Sequence, residues 1–163
     1  MVSKLIVGCL FAVLSIGVAN AQSADFKLDP QSAEQIIAGC KAYSKTKGQS
    51  HAIAIHDKGG FLVAALRMPG NNAGTMEFAQ AKAKAVGIWR FSTARMERST
   101  VDFAGFAAAP HVVTVPGGVP IFTSDGKTFL GSVGVSGEAP ADDVACAVAG
   151  IESAGLTAQR IRN

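Results

Sequence analysis

The sequence predicts one α+β domain in which helices flank an antiparallel sheet of about five strands. The chain has 163 residues, 48% of them apolar and 17% charged, which suits about one domain of roughly 100–200 residues and excludes a disordered chain. Segments near both ends repeat apolar residues at helical spacing. Between them lie short β-branched runs separated by turns of hairpin length, and such turns join antiparallel strands.

Residues 1–21 have the pattern of a secretory signal peptide. Lys4 supplies the positive start, 5–19 carry no charge, and Ala19-Asn20-Ala21 offers small residues for cleavage. At about 1.5 Å per residue the uncharged run spans about 22 Å, which is short of the ~30 Å hydrocarbon core. We therefore expect a periplasmic or secreted domain at 22–163, with no membrane insertion after cleavage.

Four helices are predicted from capping residues and apolar spacing. The first begins at Asp29-Pro30, where Asp caps free amides and Pro suits the first turn, and it ends at Gly48. Alanine-rich sequence predicts a second helix over 75–91 and a shorter one over 94–103. The last helix starts near Asp142, and its predicted apolar stripe is Val144, Ala147, Val148, Ile151 and Gly155.

Five β-like runs lie between these helices. They span 50–57, 61–68, 111–115, 119–124 and 128–135, and glycine-containing turns such as Lys58-Gly59-Gly60 and Asp125-Gly126-Lys127 separate them. The net charge is only +3 and no long basic run occurs, which argues against a dedicated nucleic-acid binder.

Three ordered strings resemble the GlcG/HbpS-type haem-binding family, whose module also forms the C-terminal domain of PduO-type corrinoid adenosyltransferases. They are Asp57-Lys58-Gly59-Gly60 with Arg67-Met68, Ala79 and Lys82-Ala83 ahead of Phe91-Ser92-Thr93, and Gly117-Gly118-Val119-Pro120-Ile121 followed by 131–137 and Asp142-Asp143. The resemblance implies a profilin-like fold, homo-oligomers, and haem or another tetrapyrrole as ligand. The sequence departs from the family pattern at Pro69-Gly70-Asn71, Ala85 and Ala141, so the chemistry of a site there is expected to differ.

Five residues in or beside these strings are candidates for ligand binding. Arg67 and Lys82 have the cationic groups that carboxylates such as haem propionates require. Gly117, Gly118 and Ser136 are expected to form a wall where a flat ligand meets the main chain. The alternative for the glycines is a purely structural role in turns and bulges.

Histidines are the natural candidates for ligating haem iron, because a neutral imidazole nitrogen binds iron. The candidates are His111 and His56, with His51 at the start of the same strand as His56. Strand alternation places His56 beside small alanines, although a solvated edge position is the alternative. The sequence lacks the Cys-x-x-Cys-His string, so any haem is expected to bind non-covalently.

Cys40 and Cys146 follow the signal peptide and have two possible states. An exported protein permits a disulfide between them. The helical stripes argue partly against it, because Cys146 falls about 200° from Val144 around its own helix. Two buried thiols are the alternative.

These features favour an exported binding protein for haem, a related tetrapyrrole or another small acidic ligand. One alternative is an enzyme that acts on a small organic acid or degrades the tetrapyrrole, with Lys82 or Asp143 as acid and base. Another is an oligomeric interaction module of a sensor system, which uses the small residues of 145–150 for contacts between subunits.

Overall fold

The computed structural model describes residues 27–161, and the predicted signal peptide lies outside them. The described chain forms an α+β domain, as predicted. Its elements are α1 (Pro30–Lys47), β1 (Ala52–Asp57), β2 (Leu62–Arg67), α2 (Ala73–Trp89), α3 (Thr93–Asp102), a 3₁₀ turn (Ala104–Ala108), β3 (Gly118–Phe122), β4 (Phe129–Ser136) and α4 (Pro140–Ser153).

The sheet has four antiparallel strands in the order β2-β1-β4-β3, so the expectation of five was wrong. The run at 111–115 lies in a loop instead. His111 has a left-handed backbone with φ of 60°, and the run is bracketed by Pro110 and Pro116. Because proline donates no hydrogen bond and His111 turns the chain, β-branched composition alone does not make this run a strand.

Helix α1 begins and ends where its sequence predicts. The Asp29 carboxylate accepts a hydrogen bond from the Ser32 amide at 2.8 Å, and Pro30 occupies the first turn. Gly48 ends the helix with φ of 66°, a left-handed conformation that glycine adopts without steric cost.

Helices cover both faces of the sheet. On one face α1 and α4 pack against branched side chains that include Ile53, Ile121 and Val133. On the other face α2 packs closely on the sheet, and the contact is made by alanines. Ala79 and Ala83 of α2 lie against Ala52 and Ala54 of β1. A side chain at Gly134 would collide with the carbonyl of Ala79, so this close approach requires glycine there.

Helix α4 is rotated relative to its predicted stripe. The residues buried against the protein are Asp143, Cys146, Ala147, Gly150 and Ile151, whereas Val144 and Val148 are only half-buried. This rotation brings Cys146 to Cys40 of α1, and the two are joined by a disulfide with their Cα atoms 4.6 Å apart. The argument from helical phase against this bond therefore used the wrong face of α4.

The crossing of α1 and α4 uses small residues of α4. A side chain at Gly150 would meet the carbonyl of Ile36, and Ala147 is fully buried. The small residues considered for contacts between subunits thus include two that pack within the chain. Within residues 27–161, no helix combines the length and apolarity needed to cross a membrane.

Candidate functional site

Four polar side chains are enclosed where β4 runs into α4. Ser44, His51, Lys82 and Asp143 are each at most 2% exposed, and we call them the buried polar cluster. They come from α1, the start of β1, α2 and α4. Buried charges need close partners to offset the loss of hydration, so the contacts within the cluster decide its state.

Lys82 and Asp143 form a buried ion pair. Lys82 Nζ donates to Asp143 Oδ2 at 3.0 Å and to the carbonyl of Val135 at 2.9 Å. The ring of Phe78 lies 4.8 Å from the same ammonium. Gly117 adjoins this pair with φ of 127°, and a side chain there would lie 2.6 Å from Lys82 Nζ. Glycine is therefore required at 117 for both its backbone conformation and its proximity to the ion pair.

His51 extends the cluster from Asp143 to α1. Its Nε2 lies 3.7 Å from Asp143 Oδ1, which accepts a hydrogen bond from the Glu138 amide at 3.2 Å. Its Nδ1 lies 2.8 Å from the hydroxyl of Ser44. Burial raises the pKa of Asp143 and lowers the pKa of His51, in each case because desolvation disfavours the charged form. Asp143 and His51 can both carry a proton, but the whole buried polar cluster is shielded from solvent.

His56 lies at the opposite end of β1 and is 5% exposed. Its Nδ1 lies 2.9 Å from the Gly60 carbonyl, and since a carbonyl only accepts, Nδ1 carries the proton. Burial lowers the pKa of His56, so the imidazole is neutral and its Nε2 presents a lone pair. That buried Nε2 has no hydrogen-bond partner among residues 27–161. His51 Nε2 has none either, but it faces the Asp143 carboxylate at 3.7 Å, whereas His56 Nε2 faces no described carboxylate within ion-pair distance. A histidine anchored through Nδ1 to a carbonyl is in the state that ligates metals through Nε2.

The other predicted site residues separate into two groups. Lys82 and Gly117 meet at the buried polar cluster, and Gly118 is nearby, its amide donating to Thr93 Oγ1 at 2.9 Å. Ser136, 7% exposed, pairs with Ala52 of β1.

Arg67 and His111 lie outside the cluster. Arg67 also pairs with Ala52 but is exposed and donates to the carbonyl of Asn71. His111 is exposed in the loop before β3. Arg67 and Lys82 are thus at the end of β1 opposite His56, and the structure does not bring those cations to that histidine.

The pairing of Asp143 with Lys82 was missed by sequence reasoning. Asp143 was named only as an acid or base of the enzyme alternative, and its carboxylate points into the buried polar cluster. Lys82 and Asp143 are 61 residues apart. Their shared presence in family-like strings was the available signal, but it does not reveal that the two side chains meet.

Within the described part of the chain, no group of three or more His, Cys, Asp or Glu side chains is placed to hold a metal ion. His56 offers a single imidazole nitrogen, and one histidine is enough for a protein to hold haem iron. In donor chemistry, His56 fits haem.

Known proteins resemble this chain in sequence and in fold. A family model described as haem-degrading protein HbpS-like matches residues 28–152. Protein GlcG of Escherichia coli K12 is 33% identical over 110 residues, which cover 67% of this chain and 81% of GlcG.

Solved structures show the same fold at lower identity. The PduO C-terminal domain, crystallised as a haem complex, superposes with a TM-score of 0.72 at 19% identity and covers 82% of this chain and 99% of its own. Crystalline HbpS gives a TM-score of 0.71 at 20% identity, with 86% and 97% covered. The match of the family model over most of the chain, together with the identity to GlcG, shows that this protein belongs to the HbpS-like family.

Proposed function

We propose that this protein is an exported, non-covalent binding protein for haem or a related tetrapyrrole, with His56 as the iron ligand. The observation that carries the proposal is the buried, unpartnered Nε2 of His56, whose Nδ1 is anchored to Gly60. An unsatisfied buried acceptor costs about 1–3 kcal/mol, and ligation would remove that cost. The family description and the haem complex of the PduO domain support the choice of ligand.

Residues around His56 would orient and shield the ligand. The exposed side chains of Lys84 and Ile88 lie near Gly60, whose carbonyl anchors His56 Nδ1. The ammonium of Lys84 forms no ion pair with any described carboxylate, so it is available to a propionate. When bound, haem supplies a redox-active iron, while the bond from Nδ1 to Gly60 holds the imidazole in orientation.

A hemin titration tests the proposal. The purified protein should bind hemin with a shifted Soret band, and His56→Ala should lose that shift or move it to the position for a different ligand. His111→Ala is the matched control, since His111 is exposed in a loop. A wild-type protein that leaves the hemin spectrum unchanged, or a His56→Ala variant with an unchanged spectrum and affinity, would contradict it.

The same titration separates binding from degradation. With excess hemin and a reductant, a binding protein reaches a stable spectrum, whereas an enzyme loses the Soret band continuously. Lys82 and Asp143, the acid and base of the enzyme alternative, are 1% and 2% exposed and bonded to each other. This arrangement favours binding.

Three finer parts of the proposal have their own tests. Export predicts that protein recovered from the periplasm or medium begins after Ala21, which mass spectrometry measures.

Homo-oligomer formation is supported by the exposed apolar residues Phe61 and Leu62 at the edge of the sheet, and light scattering tests it. A profilin-like arrangement is supported by the four-stranded sheet between helices.

A further inference from the structure

A cationic groove lies on the surface away from the buried polar cluster. It consists of two adjoining cavities of about 330 and 290 Å³ that share Arg90 and Arg160 in their linings. Lys58 and Lys127 line the first cavity, and Arg95 and Arg98 line the second. We call these six side chains the groove cations. They are six of the 15 lysines and arginines in the chain, and neither lining includes a carboxylate.

None of the groove cations has its charge neutralised within residues 27–161. The ion pairs of this region leave all six without a carboxylate partner. Glu97 lies between Arg95 and Arg98 in α3 but forms no ion pair with either of them. Asp57 and Asp125, the acidic residues next to Lys58 and near Lys127, are engaged in turns instead. Asp57 accepts from the amides of Gly59 and Phe61 at 2.8 and 3.0 Å, and Asp125 accepts from Thr123 and Lys127. Like charges held together repel, so an anion in the groove would be strongly attracted.

The fold holds these cations in place from separate segments. Ser92 caps α3, so Arg95 and Arg98, three residues apart, share one face of that helix. Arg90 ends α2 in a left-handed conformation with φ of 60°, which is uncommon for a residue with a side chain. The backbone of the C-terminal segment is bonded to Phe122 at Thr157 and to Gly126 at Ile161, and Arg160 lies between these anchors.

Aromatic rings accompany the guanidinium groups. Arg90 lies 5.8 Å from the Phe129 ring centre, and Arg95 lies 5.1 Å from that of Phe91. Phe122 also lines the second cavity. Stacking pre-orders an arginine and leaves its N–H groups free for carboxylate or phosphate oxygens. The groove thus combines several cations with flat apolar surface, and each cavity is close to the lower size of small-molecule sites, about 300 Å³.

We infer that this groove is a second ligand site, which takes a small molecule with two or more anionic groups on a flat ring body. Phosphates of a nucleotide and carboxylates of a tetrapyrrole are the two sources of that chemistry. The inference does not depend on His56 or on haem iron, because the groove cations would contact anionic groups and not a metal. Lys58 is only two residues from His56, so variants of each site are needed to separate the two.

Calorimetric titration with three probes tests the inference. The probes are inorganic pyrophosphate, ADP and metal-free protoporphyrin IX, which has no iron for His56 to ligate. Trp89, the single tryptophan of the chain, packs against Phe91 of the second cavity, so its fluorescence is a second measurement to follow for the first two probes. We expect saturable binding of at least one probe, weakened by added salt because the cations are exposed. Binding of the phosphate probes identifies a phosphate ligand. Binding of the porphyrin alone identifies a tetrapyrrole carboxylate in the groove if the groove variants below weaken it and His56→Ala does not.

Matched charge variants locate the binding. Arg90→Gln combined with Arg160→Gln should weaken it about tenfold or more, because both cavities lose their shared cations. Lys41→Gln combined with Lys45→Gln removes the same charge from the exposed face of α1 and should leave affinity within about twofold. If the first pair reduces folding, Lys127→Gln in its exposed turn replaces it, with a smaller loss expected. Failure of all three probes to bind, or equal affinity in wild type and groove variants, would overturn the inference.

Discussion

The polar residues inside this protein differ in how well their partners satisfy them. Lys82 loses its hydration but gains Asp143, the Val135 carbonyl and the Phe78 ring. His56 also loses its hydration, yet its Nε2 gains no partner. A buried polar group without a partner needs an explanation. For His56 we propose a bound ligand, whereas the unpartnered Nε2 of His51 lies 3.7 Å from the Asp143 carboxylate.

Removing one partner of the buried ion pair should be costly. Lys82→Met leaves Asp143 buried without its ammonium and is expected to lower the free energy of unfolding by about 3–5 kcal/mol. Urea denaturation measures this change. Adding Asp143→Leu should recover part of the loss, because no uncompensated charge then remains. Strictly additive effects of the two substitutions would show that the pair does not couple in solution.

The buried imidazole of His56 should make stability depend on pH. Burial lowers its pKa, so in acid the unfolded chain, with an ordinary histidine pKa near 6.5, binds a proton that the folded chain does not. The contribution of His56 to the free energy of unfolding should therefore be largest above pH 6.5, and the protein should lose stability as the pH drops below 6.5.

The variant His56→Asn keeps a donor near the Gly60 carbonyl but removes the titrating group. It should show a shallower loss of stability between pH 7 and pH 5, measured by urea denaturation at each pH. Asp143 and His51 are present in both proteins, so the difference isolates His56. Parallel stability curves for wild type and variant would contradict this prediction.

The secondary-structure elements show where sequence patterns succeed. Helix α1 was predictable because Asp29, Pro30 and Gly48 act locally, through their own backbone and side-chain chemistry. Alternation along β1 placed the alanines on one face and the isoleucines on the other. The strand predicted at 111–115 was wrong. The composition of this run suits a strand, but the prolines around it and the backbone of His111 prevent strand pairing.

The rotation of α4 could not be predicted from its own residues. Val144 and Val148 are more apolar than Asp143 and Cys146, so local spacing favours the wrong face. Asp143 is buried because it forms an ion pair with Lys82 of α2. Cys146 is buried because it forms the disulfide with Cys40 of α1. Both partners are distant in sequence, so the interaction between elements overrides the local pattern.

The disulfide between α1 and α4 should contribute strongly to stability. It joins two cysteines 106 residues apart in sequence, for which the loss of unfolded-state entropy corresponds to about 5 kcal/mol. Reductant should lower the urea midpoint of the wild type to near that of Cys40→Ala/Cys146→Ala. The double variant is its own control, since reductant should not change it. An identical wild-type midpoint with and without reductant would refute the bond's contribution.

At the scale of the whole molecule, sequence alone predicted the class of fold and the family but only part of the site. The strings that resemble the family include Lys82 and Asp143, which meet in the buried polar cluster, and Gly117, which adjoins it. His56 was identified by its position among alanines, but its unpaired nitrogen emerged only from the geometry of Gly60. The cationic groove gave only weak sequence signals, since its residues come from distant turns and helix ends.

The absorption spectrum of the protein as purified from its native host, before any hemin is added, tests the haem assignment most directly. The account predicts a Soret band in the wild-type protein, which is lost or displaced in His56→Ala while His111→Ala retains it. A wild-type preparation with no absorption beyond that of its aromatic residues, and with no Soret change on later addition of hemin, would contradict it.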